Sequence, residues 1–173
     1  MSPISRFRTI GAALAFALFA LDQLLKYWVT GPLGIIGDVM EIVPFFALRY
    51  TENYGVSLGM LTATSDTMRW ALVALTGGIA VVVTVWMMRE TRLGDILPLA
   101  LILGGALGNI RDRFQHGYVI DYADLHFGEF RPFLIFNLAD AAISIGVVIM
   151  LARAFLVREK PAQPADDAAE TSR

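Results

Sequence analysis

Ile96-Leu97-Pro98-Leu99-Ala100-Leu101-Ile102-Leu103-Gly104-Gly105-Ala106-Leu107-Gly108-Asn109-Ile110-Arg111-Asp112-Arg113-Phe114-Gln115 changes character half-way along. The first half is apolar. The second half carries a glycine, an asparagine, two arginines, an aspartate and a glutamine. An apolar run of about 20 residues is what a helix needs to cross a bilayer. Pro98 falls in the first turn, where a missing N–H does little harm. Gly105, Asn109 and Arg113 are spaced by four, so they share one helical stripe. The stretch reads as a membrane helix that gathers its polar groups at one end.

Three further apolar stretches match it, at roughly Ile10–Val29, Met68–Met88 and Phe133–Val157. None alternates as a strand does. Hydrophobic residues make up 56% of the 173 and charged ones 17%. That composition excludes a disordered chain and fits a small soluble domain poorly. The expected fold class is an all-α integral membrane protein with four transmembrane helices, at about 10–29, 68–88, 96–115 and 133–157. The loops at 30–67 and 116–132 then share one side. Ile42-Val43-Pro44-Phe45-Phe46-Ala47-Leu48-Arg49-Tyr50 has the β-branched and aromatic content of a short strand or interfacial segment. Glycines punctuate its surroundings, so the first outer loop is expected to hold a small, partly β element. The membrane domain is expected over 1–158, with a disordered cytoplasmic tail at 159–173, rich in Pro, Ala and acids.

Arg6, Arg8, Arg89, Arg92, Arg153, Arg158 and Lys160 all fall on the opposite side from those loops, which reads as cytoplasmic. Both termini are expected there. Arg49, Arg69, Arg113 and Arg131 keep the bias moderate. Arg6, Arg8 and Ala15-Phe16-Ala17 loosely resemble a cleavable signal peptide. The apolar run continues through Val29, which favours a retained span.

With this topology, Asp22 and Lys26 late in the first helix, Gly105, Asn109 and Arg113 late in the third, and Asn137 and Asp140 early in the fourth reach the same depth. Asp140 is expected roughly 10 Å below the start of its helix. Asp22 and Lys26 are an i,i+4 pair with the acid first, the favoured order, and read as a structural salt bridge. Asp121, in Tyr118-Val119-Ile120-Asp121, lies on the same side. An intramembrane carboxylate is a functional-site candidate, and two that share a site cannot both ionise cheaply, so one is held protonated. Such a pair can take a proton from water and give one to a carbonyl, as aspartic peptidases do without a metal.

Other chemistries fare worse. No cysteine is present, which removes disulfides and thiolate catalysis. His116 and His126 are too few for a convincing zinc site and read as interfacial loop residues. Ser57 and Ser144 lack a histidine partner, and nucleic-acid binding lacks a basic surface. Each acid also has a plainer reading. Asp121 alone could be a solvated loop residue, and Asp140 a cap within the bundle. Asp112 could pair with Arg111 and Arg113, Asp124 could be a loop acid, and Asn53 a turn residue. A proton-linked carrier or a non-catalytic membrane scaffold would use the same acids differently.

Asp22-Gln23-x-x-Lys26, Asn53-x-Gly55, Gly104-Gly105-x-x-Gly108-Asn109-x-x-Asp112-Arg113, Val119-Ile120-Asp121 and Phe136-Asn137-x-Ala139-Asp140 together resemble the lipoprotein signal peptidase (signal peptidase II) family, over roughly residues 10–157. The resemblance implies a four-helix aspartic endopeptidase of the bacterial inner membrane, acting near the periplasmic face without a cofactor. Asp121 and Asp140 would be its catalytic pair. Asn53, Gly105, Asn109, Arg113 and Asn137 would shape the site or touch substrate, and Asp22 with Lys26 would be structural. The implied substrates are prolipoproteins already diacylglycerylated by a transferase and cut just before the lipidated cysteine. The implied inhibitor is the cyclic peptide globomycin, and a monomer is expected. Val56-Ser57-Leu58 departs from the family's usual Ala-Ala-Phe, which bears on groove specificity.

Overall fold

The computed structural model of the protein describes residues 2–55 and 66–156. The departures at Val56, Ser57 and Leu58 and the tail at 159–173 lie outside them. Four helices are long and apolar enough to cross a membrane: α1 (Pro3–Thr30), α2 (Asp66–Arg89), α3 (Leu93–His116) and α4 (Leu138–Leu156). Three strands, β1 (Val39–Val43), β2 (Phe46–Asn53) and β3 (Val119–Leu125), form one antiparallel sheet in that order. The expected fold class is therefore the observed one.

Helix α1 starts ahead of the apolar run. Pro3 sits in the first turn, where it needs no N–H partner, and the Ser5 N–H is taken by Ser2 Oγ at 3.2 Å. Helix α3 is the axis of the bundle. It packs against α1, α2 and α4, while α2 and α4 do not touch among the described residues. Small residues make this possible. A Cβ added to Gly105 would lie 2.4 Å from the Ala139 carbonyl oxygen of α4. One added to Gly108 would lie 2.5 Å from Asp22 Oδ2 of α1. Close approach at small residues is how helices associate where lipid removes the usual hydrophobic drive. The buried middle of the bundle is apolar, with Ala15, Val83, Met87, Ile96, Leu99 and Leu103 in one cluster. Large apolar side chains also point outward, among them Leu75, Val82, Val148 and Phe155. In water such a girdle would be an aggregation surface. In a bilayer it is the solvated face.

Two sequence expectations need correction. The loop at 116–132 contributes β3, which pairs with β2 from the first outer loop. Its residues are buried from Val119 to Asp124, so the polar–apolar alternation of a half-exposed strand is missing. The fourth helix begins at Leu138, not 133. Phe136 is held in extended form instead: its N–H donates to Ala123 O at 3.1 Å, and its carbonyl accepts from Tyr122 and Ala123 at 3.0 and 2.7 Å. Asp140 therefore lies in the first turn of α4 rather than about two turns down.

Candidate active site

Strand β3 and the start of α4 meet at Asn137, which is fully buried. Asn137 caps α4, its Oδ1 accepting the Asp140 N–H at 2.9 Å. Its Nδ2 donates to Asp121 Oδ1 at 2.6 Å and lies 3.3 Å from Asn109 Oδ1. Asn109 Nδ2 in turn donates to Asp140 Oδ1 at 2.8 Å. Two amide side chains thus bridge the two carboxylates that the sequence singled out. Asn53 Nδ2, from the end of β2, takes the other oxygen of Asp121 at 3.0 Å. Its own Oδ1 accepts the Gly55 N–H at 2.9 Å, so the turn reading of Asn53 holds too.

Asp121 is 2% exposed and no solvated loop acid. Burial, and then the neighbouring charge of Asp140, push its carboxyl up to about 6, against the pull of the Asn53 and Asn137 hydrogen bonds. Asp140 is half-buried. Arg113 on α3 feels the charges of both acids, and its guanidinium lies beside Gly55, whose added Cβ would be 3.5 Å from Nη2. Gly105 does not itself enter the site. It lets α3 close on Ala139, which brings Asn109 within reach of Asp140.

A second, fully buried cluster underlies the first. Lys26 Nζ lies 2.8 Å from Asp22 Oδ2 and 2.7 Å from Asp112 Oδ2, and donates to Asn109 Oδ1 at 3.4 Å. The Asp22–Lys26 pair was expected. Asp112 was not: it turns inward to Lys26 rather than to Arg111 and Arg113, and its Oδ2 also accepts the Ile120 N–H at 3.2 Å. Gln23 Nε2 completes the cluster by donating to Asp22 and Asp112, each at 3.1 Å. The spacing of Asp112 from Asn109, one helical turn, was the available signal. Asp22 Oδ1 then accepts the Ala139 N–H at 3.1 Å, and the Tyr122 hydroxyl accepts that of Leu138 at 3.2 Å. Burial raises the Tyr122 phenol, which keeps it neutral.

Asp124 was also misread. It is 1% exposed and pairs with Arg131 and Arg49. His116 ends α3 and stacks on Tyr118, and His126 lies beside Asp124. Among the described residues no group of acids and histidines could hold a metal ion. A cleft of about 730 Å³ opens beside Asp121. One wall is Arg49 and Thr51 to Tyr54, from β2 and its end, and the other is the strap Arg131–Ile135.

A family profile for signal peptidase II matches residues 14–156. The chain belongs to the signal peptidase II family. Lipoprotein signal peptidases of Sphingopyxis alaskensis and Rhizorhabdus wittichii are 54% and 50% identical to it. The first alignment covers 94% of this chain and 92% of the relative, the second 92% and 93%. A bacterial membrane enzyme solved by the in meso method at 2.3 Å is 26% identical, with a TM-score of 0.73 over 90% of this chain and 95% of its own. Another, at 1.9 Å, is 27% identical with a TM-score of 0.75 over 87% and 95%. As a signal peptidase II, the protein is a multi-pass membrane protease of lipoprotein processing.

Proposed function

We propose that Asp121 and Asp140 are the catalytic dyad of an aspartic endopeptidase that removes the signal peptide from diacylglyceryl-modified prolipoproteins, cutting before the lipidated cysteine. The observation that carries this reading is the amide bridge. Asn137 and Asn109 donate to one oxygen of each carboxylate, and Asn53 to the second oxygen of Asp121, which fixes both acids in one network. The pair shares one proton, because burial and mutual repulsion oppose full ionisation. The ionised member takes a proton from water as its oxygen attacks the scissile carbonyl carbon. The protonated member gives its proton to the carbonyl oxygen. The gem-diol then collapses: the acid that took the proton of water gives it to the leaving nitrogen, one gem-diol hydroxyl returns a proton to the other carboxylate, and the carbonyl re-forms as the acid of the signal peptide. No covalent enzyme intermediate is required.

In this reading Asn53, Asn109 and Asn137 hold the acids. Arg113 faces the charge that develops, Gly105 sets the helix spacing, and the Asp22–Lys26 pair is structural. The dyad end faces the periplasm and both termini the cytoplasm of a bacterial inner membrane, because Arg8, Arg89, Arg92 and Arg153 gather at the other end. A monomer suffices for this chemistry, and globomycin would compete for the cleft. A proton-linked carrier would need titratable groups through the full depth, whereas the buried cluster between the two ends is apolar. Cleavage of a purified diacylglyceryl prolipoprotein, lost in both Asp121→Asn and Asp140→Asn, is the expected result. Retained cleavage in either variant overturns the assignment.

A further inference from the structure

Asp124 is a buried carboxylate that the dyad chemistry does not use. Its Oδ1 and Oδ2 accept from Arg131 Nε at 3.1 and 3.4 Å. Arg49 Nε lies 3.4 Å from Oδ2. Asp124 is 1% exposed, while the Arg49 and Arg131 side chains are 41% and 43% exposed. The acid is thus an internal anchor, and among the described residues the Nη groups of the two guanidiniums have no other acceptor. Both arginines line the cleft that Asp121 lines. They come from its two walls, Arg49 from β2 and Arg131 from the strap. Asp124 with Arg49 and Arg131 gives this end of the cleft one negative and two positive charges. Glu52 lines the same cleft, but its carboxylate accepts from the Tyr54 and Tyr50 hydroxyls at 2.5 and 3.1 Å. Those hydrogen bonds hold it ionised. The cleft therefore has a negative end and a positive end.

We infer that Arg49 and Arg131, oriented by Asp124, form a specificity subsite that takes an acidic group of the substrate on the mature side of the cut. The inference rests on the dyad assignment for its direction. Asp121 and Asp124 are separated by about 10 Å of extended strand. An extended substrate covers that distance in about three residues, so the acidic group belongs shortly after the lipidated cysteine. The signal-peptide side is apolar and stays with the helices and lipid. The mature side must leave the membrane, and the sheet lies on its way. Guanidinium forks suit carboxylates, with bidentate geometry available.

The test compares lipidated peptides that carry Asp or Asn at the second to fourth residue after the cut, in neutral detergent free of phospholipid. Wild type is expected to show a KM lower by roughly fivefold for the acidic peptide, an advantage that shrinks with added salt. Arg49→Gln and Arg131→Gln are expected to remove the advantage while leaving kcat on the neutral peptide unchanged. Asp124→Asn is expected to behave like the pair of them. A purely structural role would lower the melting temperature and leave the acidic-to-neutral ratio intact, which overturns the inference. So does a KM advantage that appears only on adding anionic phospholipid and ignores the peptide's charge, since the arginines would then serve a lipid phosphate. Binding of both peptides by the Asp140→Asn variant, read by fluorescence anisotropy, separates the two proposals. If the acidic peptide binds more tightly there, the subsite stands whatever becomes of the dyad. Equal binding overturns it.

Discussion

The two ends of the helix bundle treat ion pairs of equal length differently. At the dyad end, Lys26 meets Asp22 at 2.8 Å and Asp112 at 2.7 Å, with all three side chains almost fully buried. At the other end, Arg153 meets Asp95 at 2.8 Å, with the side chains 32% and 31% exposed. Distance is the same, so solvent decides. A half-exposed pair is screened and contributes about 0–1 kcal/mol. A buried cluster cannot rehydrate when a partner is lost, and its integrity is a condition of the fold. The proposed dyad rests on the second kind of ground.

The sharpest break between the ends is in catalysis. Asp121→Asn or Asp140→Asn should slow single-turnover cleavage by roughly 10²–10⁴-fold, whereas Asp95→Asn should leave it unchanged. An Asp95→Asn enzyme as slow as the dyad variants would erase the contrast. Stability comes next. Lys26→Met leaves two buried carboxylates without their cation and should destabilise by about 3–5 kcal/mol in detergent unfolding. Arg153→Met should cost no more than about 1 kcal/mol. Equal losses would mean that burial is not the deciding variable. A smaller effect is expected from the glycines. Gly105→Ala forces a methyl toward the Ala139 carbonyl and should cost about 1–3 kcal/mol. Gly78→Ala, in open space on α2, should stabilise by about 0.5–1 kcal/mol. Thermal melts of the two variants that move in the same direction would refute the packing argument.

The gentlest probe is pH. With the Asp121 carboxyl at about 6, the singly protonated dyad is lost as pH rises through that value, so kcat/KM should decline above it. The stability linkage has the same sign. A raised folded-state pKa favours the fold fully below the carboxyl's ordinary 3.8, and that contribution is given up as pH climbs through about 6. A rate that rises through pH 6 and stays flat above it would show that the doubly ionised pair is the working form.

The sequence made the bundle legible because length and hydropathy suffice to find spanning helices. It made the acids legible because carboxylates at membrane depth are rare. Asp112 was misread because Arg111 and Arg113 flank it and suggested local pairing, and Asp124 because the strand around it went unrecognised and left it as a loop acid. The fold turns Asp112 inward to Lys26, 86 positions away in the chain, and pairs Asp124 with Arg49 across strands. Strand β3 was missed because it is buried on both faces and carries no alternation. The start of α4 was misplaced because apolar Phe133–Phe136 continues the helix's composition, and only pairing with Ala123 reveals it as extended. In each case the missing information was a partner distant in sequence.

The first turn of α4 has a consequence for biogenesis. Its leading N–H groups are received by Tyr122 from β3, Asp22 from α1 and Asn137 at its own threshold. A nascent chain with three helices inserted has Asp121 but neither Asn137 nor Asp140 to complete it. The last helix also cannot seat its end until α1 and the sheet stand ready to receive it. On the proposed assignment, Asp121 and Asp140 come together only when α4 is seated against β3 and α1, with the helix terminus acting as the latch.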